Sequence, residues 1–104
     1  MQHYFVFLSF EVLSCMDYDR DFIHGELEEL GLYAQIRLEN TLQPLPEGTF
    51  IGEYKFKDKE GLKNTIYTEV SALFSRHGVG ARLFIAVSEK ATIGVEDMNP
   101  APKI

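Results

Sequence analysis

The chain has 104 residues, 45% of them hydrophobic, and carries 16 acids against 10 bases for a net charge of −6. That is the size of one domain, with a composition outside the disordered class. An acidic balance argues against broad binding to nucleic acid or anionic lipid, which needs Lys and Arg in excess.

The first element is the stretch 4–12, YFVFLSFEV, rich in aromatic and β-branched residues with polar entries at Ser9 and Glu11. A strand buried on both faces reads as such a continuous run, so this predicts a central strand. Ser9 and Glu11 share a face with Phe5 and Phe7, and they mark where the strand emerges into water. No basic residue precedes the run and Glu11 closes it early. It therefore reads as part of the fold, neither a secretory signal nor a membrane span.

The stretch 13–31 reads as a helix capped by Ser14 or Asp17, with Ile23, Leu27 and Leu30 on one face and Gly31 as its stop. Residues 33–39 alternate Ala34, Ile36 and Leu38 against Gln35, Arg37 and Glu39, which predicts a strand with one wet face. Residues 40–48, NTLQPLPEG, read as a loop because of Pro44, Pro46 and Gly48. Residues 49–56 alternate again and predict a strand pairing with 33–39 as a long-tipped hairpin.

Asp58 is the predicted N-cap of the strongest helix. Leu62, Ile66, Val70, Leu73 and His77 fall on one face, and Gly78 and Gly80 end it. Residues 82–88 complete the set as a last strand. The domain is predicted to span 1–97, and 98–104 to be a flexible tail.

The order strand, helix, strand, strand, helix, strand predicts an α+β ferredoxin-like βαββαβ fold, a four-stranded antiparallel sheet with both helices on one face. The first and third strands would be central. The helix-free face would show Arg37, Glu53, Lys55 and Arg82 beside apolar residues of the first strand. Such a face predicts a homodimer.

Charge is uneven: residues 1–40 hold eight acids against Arg20 and Arg37, and the rest of the chain is balanced. The acidic first helix suits a basic protein partner and makes nucleic-acid binding unexpected. The lone Cys15 fits a reducing, cytoplasmic setting and excludes an intrachain disulfide. His24 has Asp21 and Glu28 at helical spacing, which reads as surface pairing, so no metal or cofactor is expected. Binding candidates are Arg37, Lys55 and Arg82 on the sheet, with Lys57 in the basic run 55–63. Catalytic candidates are Ser9 and Glu11.

The strand end Leu8-Ser9-Phe10-Glu11 and the loop Leu45-Pro46-Glu47-Gly48-Thr49-Phe50 resemble the small ferredoxin-fold family of the GhoS-like antitoxin and the CRISPR-adaptation nucleases. The resemblance implies a dimeric endoribonuclease or RNA-binding antitoxin, with Ser9 and Glu11 at its site. Glu11 stands where those nucleases place an aspartate, and Glu26, Glu28 and Glu29 occupy the helix where the antitoxin is basic. Two functions are expected in order: a dimeric module binding a protein or small ligand, then the ribonuclease.

Overall fold

The computed structural model describes residues 1–15 and 19–98. Five strands and two helices follow in chain order: β1 (Gln2–Cys15), α1 (Arg20–Glu29), β2 (Gln35–Leu38), β3 (Thr41–Pro44), β4 (Thr49–Phe56), α2 (Lys59–Arg76) and β5 (Val79–Ser88). β1 is central as predicted, with β4 on one side and β5 on the other, all antiparallel. Its inner positions Tyr4, Val6 and Leu8 are at most 4% exposed. They meet Ile23 and Leu27 of α1, Phe50 of β4, and Leu62, Ile66, Val70 and Leu73 of α2 in a single core cluster.

The four-stranded ferredoxin-like sheet is not what forms. The main sheet has three strands, and a separate two-stranded sheet pairs β2 with β3. Residues 33–39 touch the main sheet at one bridge, Tyr33 with Ile51, where the N–H groups and carbonyls exchange bonds of 2.8 and 2.9 Å. The next rung would need the Thr49 amide. That amide instead closes a turn onto the Pro46 carbonyl at 3.0 Å, while the Ala34 carbonyl accepts from the Leu45 amide at 2.8 Å. The ladder is thus cut after one rung, and β4 becomes an edge strand, not a central one. Gly48 (φ +78°) is required in that turn, because a Cβ there would stand 2.6 Å from the Phe10 carbonyl oxygen.

Freed from the main sheet, β2 folds back on residues read as loop. Leu38 pairs with Thr41, and the two residues between them, Glu39 and Asn40, both have positive φ (49° and 66°). Positive φ at both central positions is the signature of a type I′ hairpin turn, whose twist matches its strands. Pro44 is accommodated because β3 is an edge strand.

The first helix starts later than predicted, because β1 keeps pairing with β5 as far as Cys15 opposite Val79. Asp19 is its N-cap, accepting from the Phe22 amide at 3.1 Å; Ser14 is in the strand, and Asp17 lies outside the described residues. The second helix is as read, with Asp58 accepting from the Gly61 amide at 2.6 Å and Gly78 following at φ +65°. β5 begins at Val79, three residues before its predicted start. Of the predicted tail, only Met98 lies within the described residues. No helix among them is long and apolar enough to cross a membrane.

Candidate functional site

Strand alternation sends every second side chain of the main sheet to the face without helices. Its rows follow from the register. Phe5 lies between Glu53 and Ser88, Phe7 between Ile51 and Ala86, and Ser9 between Thr49 and Phe84. Beyond them His3 stands opposite Lys55 at one end, and Glu11 opposite Arg82 at the other. The centre is therefore apolar and each end holds an acid and a base. Glu11 and Arg82 are 3.5 Å apart, and His3 and Glu53 4.0 Å. The four ionised side chains Glu11, Glu53, Lys55 and Arg82 cancel, so the chain's net charge of −6 lies off this face.

On the β4 side the departing chain builds a wall. Tyr33, Gln35 and Arg37 stand over Phe5, Ile51 and Glu53 and enclose a groove of about 470 Å³. Tyr33 is 46% exposed, whereas Ile51 at its base is 8% exposed. Arg37 is held by its own turn, donating to the Asn40 carbonyl oxygen at 3.4 Å. The groove depends on β2 leaving the main sheet, and no sequence signal short of the I′ turn at Glu39 and Asn40 announces it.

The structure separates the residues the sequence singled out. Ser9, Glu11, Lys55 and Arg82 do share the helix-free face. Arg82 and Lys55 sit at register positions eight β1 residues apart, about 27 Å along a strand, too far to hold one phosphate. Arg37 belongs to the groove wall, and Lys57 is exposed just past the end of β4. Lys59 and Lys63 of the basic run pair with Glu89 (3.9 Å) and Glu60 (2.7 Å).

His24 is turned inward, against the surface reading. Its ring meets Phe50 edge-on at 4.8 Å, and its Nε2 is buried without a hydrogen-bond partner. Among the described residues no three His, Cys, Asp or Glu side chains stand close enough to hold a metal ion. Cys15 is exposed at the end of β1.

Three further contacts were not legible in the sequence. Arg20 donates to both oxygens of Glu47 from one guanidinium edge, Nε at 2.5 Å and Nη2 at 2.9 Å, fastening α1 to the turn before β4. The hydrogen bond from Arg20 is the main cause holding the Glu47 carboxyl below its ordinary range. Glu26 on α1 reaches both Arg76 (3.3 Å) and His77 (3.2 Å) at the end of α2. Tyr54 donates to the Leu30 carbonyl at 2.7 Å, and burial pushes its hydroxyl up to about 12.

No family model matches the chain, and no curated protein or solved structure matches it.

Proposed function

We propose that the chain is a dimeric interaction module, and that its helix-free sheet face takes a protein partner, with the groove beside Tyr33 receiving an apolar side chain of an extended segment. The groove carries the reading. At about 470 Å³ it falls within the range of pockets that seat compact groups, and its apolar floor with few polar groups is what such sites use. Arg37 and Glu53 on its walls would orient a polar backbone lying across it. The face around it is electrically balanced, so an acidic chain can be approached there without repulsion. The acidic α1 lies on the opposite side of the sheet, where it suits a basic protein surface. A reducing cytoplasm suits its exposed Cys15.

The ribonuclease reading rests on Ser9 and Glu11, and Glu11 is engaged by Arg82 at 3.5 Å. The interaction reading has a cavity behind it and stands first.

The groove is tested with anilinonaphthalene sulfonate, an apolar anion. Wild-type protein should bind it saturably. Tyr33→Ser and Arg37→Gln should each weaken binding at least about threefold, the loss of one modest contact, with the melting temperature unchanged. Undiminished binding by both variants would remove the groove from the proposal.

A further inference from the structure

The two edges of the main sheet are treated very differently. The outer edge of β4 is guarded: Tyr33 covers it at Ile51, and Glu53, Lys55 and Lys57 place charges along the rest. The outer edge of β5 has no such protection. Its ten residues, VGARLFIAVS, contain one charge, Arg82, and no proline. Among the described residues no strand pairs with it on that side. A long, apolar, unguarded edge is a template for another strand.

Which groups that edge offers follows from one hydrogen bond. The Phe10 amide donates to the Gly48 carbonyl, on the β4 side. In an antiparallel ladder successive residues turn their N–H and C=O to opposite sides. Phe5, Phe7, Ser9 and Glu11 therefore turn toward β5, and so their register partners Ser88, Ala86, Phe84 and Arg82 turn toward β1. Val79, Ala81, Leu83, Ile85 and Val87 are left turned outward, each with one donor and one acceptor.

This set is self-complementary. We infer that two copies of the chain pair antiparallel through β5 about a two-fold axis at Phe84, joining their sheets into one of six strands. That axis sets Leu83 against Ile85 of the second copy and Ala81 against Val87, in both directions. Ala81, Leu83, Ile85 and Val87 then each find a hydrogen-bonding counterpart. An axis at Ile85 would set Ala81 against a residue beyond β5, and one at Leu83 would pair Val79 with Val87 but set Phe84 against Arg82, so the side chains choose the register.

The side chains agree with this register. Phe84, 64% exposed on the helix-free face, meets Phe84 of the second copy as a non-hydrogen-bonded pair, the closer kind and a favourable one for aromatics. Arg82 falls opposite Ala86 of the second copy, so no like charges meet. On the other face Tyr67, 56% exposed, stands with Leu83 and Ile85 beside an open groove of about 330 Å³ along the edge. A second β5 would cover it. The groove beside Tyr33 is on the far edge and stays open, one per subunit.

This inference rests on the dimeric reading above, and the test separates the two. Single cysteines are placed at positions 82, 84 and 86 in a Cys15→Ser background and oxidised. Phe84→Cys should link to itself, because directly opposed Cα atoms lie within disulfide reach. Arg82→Cys and Ala86→Cys should not, since each is offset from its own copy by four residues, about 13 Å along the strand. In sedimentation, wild-type protein should run near twice the chain mass at micromolar concentration. Ile85→Pro removes an outward N–H but no hydrogen bond to β1, and should run as a folded monomer, while Ile85→Ala, which loses the same core-facing side chain but keeps the N–H, stays dimeric. A dimer that links elsewhere, or that survives Ile85→Pro, overturns the β5 pairing and leaves the dimeric reading standing. A wild-type monomer throughout that range overturns both.

Discussion

Gly31 and Gly52 sit where the chain passes from α1 to the bridge at Tyr33, and they touch. A Cβ on Gly52 would lie 2.5 Å from the Gly31 carbonyl oxygen and 2.7 Å from the Tyr54 ring. The first of these is backbone, pinned by the adjacent Tyr33–Ile51 bonds, and cannot step aside cheaply. Gly52→Ala should therefore cost about 1–3 kcal/mol, the usual range for overpacking. Gly25 gives the contrast: it is exposed in the middle of α1, with nothing within 4 Å of its missing Cβ. Gly25→Ala should stabilise by about 0.5–1 kcal/mol through helix propensity. Urea unfolding of both variants checks the pair, and a neutral Gly52→Ala would show that β4 and the α1 exit are not locked together.

At the scale of elements, what the residues announced was what their own periodicity decides. α2 was legible from Asp58 and its apolar stripe, because cap and face are local. The alternation of Phe5, Phe7, Ser9 and Glu11 likewise placed them on one face, and that much of the candidate site was readable. The start of α1 was not, since β5 holds β1 extended to Cys15 and pairing across the sheet overrides a local helix signal. The hairpin was missed because Pro44 and Pro46 read as loop, while the decisive feature was the backbone at Glu39 and Asn40. Neither residue is glycine, and both hold left-handed φ, a conformation costing an ordinary residue about 1–2 kcal/mol. Glu39→Asn with Asn40→Gly, the preferred I′ pair, should stabilise β2–β3 by about 1 kcal/mol. Amide exchange across the hairpin should slow accordingly. Faster exchange in that variant would mean the turn is held by something other than its own geometry.

For the whole molecule, two kinds of contact make stability depend on pH. Glu47, fastened to Arg20, has its carboxyl held below the ordinary 4.5. Its contribution is present above the unfolded value and is lost as pH falls through the lower folded one. Tyr54 behaves in the opposite sense, its hydroxyl raised from 10 to about 12 by burial, then by Tyr33. The neutral form is the one that donates to Leu30, so its contribution is complete below pH 10 and drains away between 10 and 12. Tyr4 adds to the alkaline side, raised by burial, then by Glu89 and Asp58. Urea midpoints across this range should thus fall at both ends with a plateau between. Glu47→Gln should lower the plateau and shrink the acid-side loss, and Tyr54→Phe should do the same on the alkaline side. An alkaline limb identical in Tyr54→Phe and wild type would assign that loss to Tyr4, and would mean the Tyr54 hydroxyl does not tie β4 to the end of α1.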